Sequence, residues 1–281
     1  METLSRGPAF SSHMTRQDIQ ELARRIVAEV ADRHASPPVA YAPLAAGEPC
    51  PAWVPPAQGI AAYIDHTLLR PDASEDDVLR ICAEARDLGF YSTCIHPDKV
   101  ATAARELHGS GVKVCTVIGF PHGANITPVK RAEAEQSLKA GADELDMVVN
   151  IGALKAGRLD AVHSEIRSIV EIAHSAGATL KVILEMGFLD QDTKLKGCAV
   201  ALLAGADFVK TSTGFGPAGA DPRDVALMHQ VVGGKMGIKA AGGIRTYARF
   251  RDMMRAGATR IGASSGSAIL IEFQAARNAA R

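Results

Sequence analysis

The chain has 281 residues, 47% hydrophobic and 22% charged, an ordinary globular balance that suits one large domain or two small ones. Its 31 basic and 31 acidic residues cancel, and no basic run or aromatic–basic interleaving is present, which points away from nucleic acid and towards a small-molecule partner. Cys50, Cys82, Cys94, Cys115 and Cys198 lack any CxxC or Cys/His ligand spacing, and no apolar run nears the roughly 20 residues of a membrane span, so a reduced, cytoplasmic chain without membrane contact is expected.

Met1 to Ser12 lacks the basic-then-apolar pattern of a signal peptide. Residues 1–36 read as an extension holding one amphipathic helix, with Thr15 as N-cap, Asp18 at N3, and Ile19, Leu22, Ala23, Ile26, Val27 and Val30 at helical spacing. Residues 37–58 carry seven prolines and no periodicity, which reads as an extended strap or linker. From residue 59 to 281 one pattern recurs: a helical stretch ends in glycine, and an apolar β-type run follows. The glycines are Gly89, Gly111, Gly141, Gly177, Gly205, Gly237 and Gly257, and with an opening strand at Ala61–Ile64 these seven junctions make eight strands. Ser74 with Asp77, Thr127-Pro128 and Asp221-Pro222 supply helix starts. Eight β/α units with short strands predict a (β/α)8 TIM barrel, whereas an open doubly wound sheet more often has five or six strands. Chemistry in a barrel sits at the C-terminal ends of the strands.

The strand at Ala206–Val209 runs into Lys210, three hydroxyl residues and Gly214. A lysine there either snorkels to solvent or lies in a low-dielectric site or beside another cation, and the latter settings lower an amine from about 10.4 towards neutrality, as a Schiff-base nucleophile requires. Period-2 alternation puts Glu144 and Asp146 on one face of their strand, Lys181 on one face of the next, and Lys239 in mid-strand, while Asp65 is placed at the end of strand one. Each residue alone could be half of a core ion pair. Converging on one interior, they read as a site, because buried ion pairs seldom improve on apolar packing. The loops with Gly242-Gly243 and Gly262-Ala263-Ser264-Ser265-Gly266, joined by Gly214 and Gly216, suit a phosphate bound by backbone N–H groups.

Ile64-Asp-His-Thr-Leu68, Glu144-Leu-Asp-Met-Val-Val-Asn150, Leu180-Lys-Val-Ile-Leu-Glu185, Phe208-Val-Lys-Thr-Ser-Thr-Gly214, Ile238-Lys-Ala-Ala-Gly-Gly-Ile-Arg245 and Gly262-Ala-Ser-Ser265 together resemble the motifs of the deoxyribose-phosphate aldolase family, over Ile60 to about Ile271. The resemblance implies a class I aldolase that cleaves 2-deoxy-D-ribose 5-phosphate to glyceraldehyde 3-phosphate and acetaldehyde, with no metal and no cofactor. It implies that Lys210 forms the Schiff base, Lys239 is the cation that lowers its pKa, Asp146 is the acid/base acting through water, and Lys181 is the partner of Asp146. Asp65, Thr67 and Cys94 would line the substrate pocket, Thr211 and Gly242 would join the substrate-binding set, and Gly214, Gly243, Ser264 and Ser265 would hold the phosphate. A homo-oligomer, a dimer in the simplest case, is the expected assembly.

Two departures stand out. Phe215 occupies a position that is lysine in some relatives, which leads to the expectation that neutral donors alone hold the phosphate, and the chain ends Ala279-Ala280-Arg281 without the tyrosine tail of other members. The rival readings are another Schiff-base phosphosugar lyase and a non-catalytic sugar-phosphate-binding barrel. His66, His96 and His122 have no tight ligand spacing and read as structural.

Overall fold

The computed structural model describes residues 59–279, together with Pro55, Pro56, Glu21, Arg24, Arg25, Ile26 and Ala28. Eight parallel strands close into a barrel in sequence order: β1 (Ile64–Leu68), β2 (Ser92–Ile95), β3 (Lys113–Ile118), β4 (Glu144–Val148), β5 (Thr179–Ile183), β6 (Phe208–Lys210), β7 (Gly237–Ala241) and β8 (Arg260–Ala263). Between and after them run α1 (Glu75–Leu88), α2 (Val100–Glu106), α3 (Thr127–Lys139), α4 (Ile151–Lys155), α5 (Leu159–Ser175), α6 (Gln191–Leu203), α7 (Pro222–Val232), α8 (Tyr247–Arg255) and α9 (Gly266–Ala279).

Local chemistry sets these boundaries. Ser74 and Asp77 form a reciprocal capping box at α1, which ends at Gly89 in the left-handed conformation. Asp221 caps α7 by accepting from the Arg223 N–H, with Pro222 in the first turn. The outward residues of alternate positions, among them Leu145, Met147, Leu180, Val182, Val209 and Ile238, pack against helix residues such as Ile81, Ile166 and Ile169, so the main core is the annulus between strands and helices. Inside the barrel only a small apolar group, Leu69, Cys94, Cys115 and Val117 with Phe120, separates from that core. Cys82, Cys94, Cys115 and Cys198 are free and buried, and no helix among the described residues is long and apolar enough to cross a membrane.

Three expectations need revision. Ala61–Tyr63 is a 3-10 turn, and the first strand is Ile64–Leu68, set by pairing Asp65 with Ser92 and with Gly262. Asp65 therefore sits within the strand rather than at its end, with Ile64 in the outer core. Thr127 does not cap α3; the cap is Ile126, and the Thr127 hydroxyl donates instead to Glu165 Oε2 at 3.2 Å. Of the N-terminal helix, Glu21, Arg24, Arg25, Ile26 and Ala28 are helical and Ile26 is buried in the main core, while Thr15, Asp18, the other named positions and the prolines before Pro55 lie outside the described residues.

Candidate active site

Asp146 is the hub of the barrel interior. It stands on β4 beside Lys181 of β5, and the Lys181↔Phe208, Ile183↔Lys210 and Lys210↔Lys239 registers carry the arrangement across β6 to β7. Asp146 Oδ2 accepts from both Lys210 Nζ and Lys239 Nζ at 2.7 Å, and Oδ1 accepts from Lys181 Nζ at 2.9 Å and from the Cys115 thiol at 3.2 Å. Lys181 Nζ also donates to Glu144 Oε2 at 2.6 Å. Lys239 Nζ lies 2.5 Å from Asp65 Oδ2, and Arg260 donates to Asp65 Oδ1 at 2.9 Å. Gly262 on β8 gives Lys239 its room, because a Cβ there would lie 3.0 Å from Lys239 Cε.

Below this cluster Arg260 stacks on the Tyr91 ring, 3.3 Å from its centroid, and faces Phe208. Four cations (Lys181, Lys210, Lys239 and Arg260) thus share three carboxylates (Asp65, Glu144 and Asp146), all of them nearly or fully buried. Burial works against the charges of Asp65, Asp146, Lys181 and Lys239, yet their partners prevail. Lys181, Lys210 and Lys239 hold Asp146 well below the usual carboxylate range. Lys239, Lys181 and Arg260 depress Asp65, while Asp146 and Asp65 hold Lys239 well above the ordinary lysine range and Asp146, Cys115 and Glu144 do the same for Lys181. Lys181 and Lys239 are thereby fixed as cations. Cys94, Cys115 and Asp146 are close enough to share a metal ion, but both Asp146 oxygens already receive ammonium groups.

Lys210 differs from its neighbours in facing a cavity of about 350 Å³ at the C-terminal mouth of the barrel. Thr67, Gly214, Gly242, Gly243 and Ser264 line the same cavity, with Thr213, Phe215 and Gly262. Gly242 and Gly243 are both left-handed, at φ 94° and 74°, a conformation that turns backbone groups outward and that other residues rarely take. The N-terminus of α9 starts just beyond Ser264.

Not every expected residue reaches the cavity wall. Asp65, Asp146, Lys181 and Lys239 lie beneath it as the charged floor, and Cys94 is fully buried opposite Cys115. Thr211 ties β6 to β7 by donating to the Ala241 carbonyl and accepting from the Ala241 N–H, each at 3.1 Å. Ser265 is half-buried, outside the lining, and its carbonyl accepts from Ile269 N in the first turn of α9. His66 bonds Glu84 Oε2 at 2.7 Å and His96 bonds the Leu69 carbonyl at 3.0 Å.

Beside the neutral groups expected to hold the phosphate, the cavity lining carries cationic side chains. Phe215 does line the cavity, but so do Arg70 and Arg245. Arg70 is partly engaged by Asp72 and Asp77, whereas Arg245 is exposed and has no ion-pair partner among the described residues. Arg245 was legible as the first charged residue after the Gly242-Gly243 turn, and Arg260 as the inward position of β8; Arg70, beyond the end of β1, carried no such signal.

Comparison with known proteins agrees with this geometry. Residues 60–273 match the DeoC/LacD family aldolase. The chain is 53% identical over 222 residues to a deoxyribose-phosphate aldolase of Thermococcus gammatolerans, covering 78% of this chain and 97% of the relative. It is 50% identical over 211 residues to one from Geobacillus sp., covering 75% and 94%. Among solved structures, the tetrameric deoxyribose phosphate aldolase from Aeropyrum pernix is 37% identical with a TM-score of 0.74, covering 90% of this chain and 99% of that one.

Proposed function

Because this chain belongs to the DeoC/LacD family of aldolases, we propose that it reversibly cleaves 2-deoxy-D-ribose 5-phosphate to D-glyceraldehyde 3-phosphate and acetaldehyde through a Schiff base on Lys210. The observation that carries this reading is the single lysine that both opens on the cavity and shares a carboxylate oxygen with a permanently charged neighbour, Lys239. Four cations face three carboxylates, and Lys210 alone among the clustered lysines opens on the cavity; when it gives up its proton, Asp146 still keeps Lys181 and Lys239 as cationic partners.

The neutral Lys210 amine adds to the C1 aldehyde of the substrate, and water leaves to form the protonated imine. The C2–C3 bond then breaks, its electron pair moving towards the imine nitrogen as the C3 hydroxyl gives up its proton, and glyceraldehyde 3-phosphate departs. The enamine takes a proton at C2, and hydrolysis returns acetaldehyde and the free amine. Asp146, an acceptor held deprotonated, relays protons through water between Lys210 and the substrate. Lys239 keeps the site positive while the charge on the reacting nitrogen changes. Arg245, the Gly243 and Ser264 region and the α9 N-terminus hold the phosphate, with Arg70 also on the cavity lining.

The lysine cluster and Asp146 together supply the nucleophile, the fixed cation and the proton relay that a class I reaction without metal or cofactor calls for. The tetrameric Aeropyrum pernix relative supports a homo-oligomer here, with a dimer as its smallest form, measurable by light scattering. Deoxyribonucleotide breakdown in the cytoplasm is the setting this reaction fits, with residues 59–281 as its catalytic unit. Borohydride reduction in the presence of acetaldehyde, followed by mass spectrometry, should label Lys210 alone. Labelling at Lys239 or Lys181, or none at all, would overturn the assignment and favour a different lyase or a sugar-phosphate-binding barrel.

A further inference from the structure

Glu185 follows β5 and is the one non-glycine residue with positive φ among those described, at φ 55° and ψ 64°. Its side chain is buried to 1% exposure without a cationic partner among the described residues. The carboxylate instead reaches across to the chain after β6: Oε2 accepts from the Thr213 N–H at 3.0 Å and from the Thr213 hydroxyl, and Thr213 Oγ1 accepts in turn from the Phe215 N–H at 3.0 Å. Oε1 has no hydrogen-bond partner. The two segments are zipped on the strand side as well, by Leu184 N to Lys210 O at 3.0 Å and Met186 N to Thr211 O at 2.9 Å. Gly216 lies flat on the carboxylate, because a Cβ there would stand 2.7 Å from Glu185 Cδ. A left-handed non-glycine residue persists only where its surroundings over-determine it, and such positions cluster at functional sites.

The segment that Glu185 holds is the wall of the Lys210 cavity. Thr213, Gly214 and Phe215 line it, and Gly214 abuts Gly242, whose added Cβ would meet Gly214 Cα at 3.5 Å. On the far side the same wall, through Thr213, Phe215 and Gly216, borders a second cavity of about 260 Å³ that Glu185 itself lines. A loop with voids on both faces is held at few points, among them the Phe120–Phe215 edge contact at 5.4 Å and the Glu185 carboxylate, and it is the carboxylate that grips the backbone at Thr213.

We propose that Glu185 is a positioning residue for phosphosugar binding: it seats the Thr213–Gly216 wall against the Gly242-Gly243 turn, and so sets the phosphate end of the site without touching the reacting atoms. This rests on the aldolase reading and adds a determinant of substrate affinity to it. The tests are Glu185→Gln, which keeps the shape but removes the charge that strengthens both hydrogen bonds; Glu185→Gly, which relieves the backbone and removes the carboxylate; and Gly216→Ala, whose Cβ would stand 2.7 Å from Glu185 Cδ and so forces the carboxylate and the wall apart.

Loss of a charge-assisted hydrogen bond corresponds to about a tenfold change in affinity. Each variant should raise KM for deoxyribose 5-phosphate about tenfold, keep kcat within about threefold, and change KM for unphosphorylated deoxyribose less than about twofold. A merely structural role would lower the active fraction and leave the ratio of the two KM values unchanged, which would overturn the proposal, as would a Glu185→Gly enzyme with the wild-type KM. Calorimetric binding of glycerol 3-phosphate reads the wall without turnover, and the variants should bind it about tenfold more weakly. A wild-type protein that binds glycerol 3-phosphate but forms no trapped adduct counts against the aldolase reading alone, whereas equal binding by wild type and all three variants counts against Glu185.

Discussion

Two buried lysine sites in this molecule have opposite designs. Lys130 on α3, fully buried, donates to Glu165 Oε1 at 2.8 Å and to the Val148 carbonyl at 2.9 Å. Glu165 Oε1 also accepts from Asn150 N at 3.2 Å, so one cation and one carboxylate brace the end of β4 from outside the barrel. Inside the barrel, Asp146 faces three ammonium groups at once, and one of them, on Lys210, opens on a cavity. Burial of a lysine is common to both and is therefore not the mark of chemistry. The excess of cations over carboxylates, with one lysine open to a cavity, is what distinguishes the interior cluster from the brace.

The sharpest way to break that comparison is to remove each lysine. Lys210→Ala should lower cleavage by more than about 10⁴-fold, since the covalent route carries most of an acceleration that is typically about 10⁶ or more, and the borohydride adduct should vanish. Lys130→Met should leave kcat within about twofold and yet lower the unfolding free energy by about 3–5 kcal/mol in denaturant titrations, because Glu165 is left as a buried unpaired charge. Comparable losses of activity in the two variants would erase the distinction.

Asp146→Asn comes next. It should reduce turnover about 10²- to 10⁴-fold while Lys210 still forms some trapped imine, which separates proton relay from nucleophilic attack; full turnover would place the relay elsewhere. Lys239→Met should lower activity at pH 7 about tenfold and move the activity profile about one pH unit or more to the alkaline side, because the fixed cation that favours a neutral amine nearby is gone. An unmoved profile would mean that burial alone tunes the nucleophile.

The smallest effect is on stability against pH. The folded values of Asp65 and Asp146 are depressed, so their contribution is complete above about pH 3.9 and is lost only as pH falls through those folded values. The folded values of Lys181 and Lys239 are raised, so their contribution is complete below about pH 10.4 and is lost only as pH rises through them. Asp65, Asp146, Lys181 and Lys239 therefore contribute evenly between about pH 5 and 9. Lys130 has the opposite sign: burial lowers its folded value despite Glu165, so the unfolded chain binds the proton more strongly and stability rises with pH on the approach to about 10.4. Wild type should gain on Lys130→Met by less than about 1 kcal/mol between pH 8 and 10 in the same titrations. A loss over that interval would contradict the assignment of Lys130 as a strained but closed pair.

Much of this was legible in the sequence because it is encoded over a few residues. Glycine after each helix, the Ser74–Asp77 box and the apolar runs give eight β/α units, and period-2 alternation gives Asp146, Lys181, Lys210 and Lys239 their inward faces. The first strand was misplaced by local apolarity: Ala61–Tyr63 looks as β-like as Ile64–Leu68, and only the pairing with β2 and β8 selects the latter.

What the tertiary structure alone decided is who meets whom. Arg260 meets Asp65 across 195 residues because β8 closes on β1, and barrel closure likewise brings Arg70 and Arg245, far apart in sequence, to the lining of one cavity. Likewise Glu185 reaches Thr213 from an adjacent strand end, and Lys130 finds Glu165 across helices. Backbone hydrogen bonding and side-chain alternation act within a segment, so a sequence determines its elements and their faces. The balance of charge in a buried site depends on register and closure between segments, which no local pattern carries.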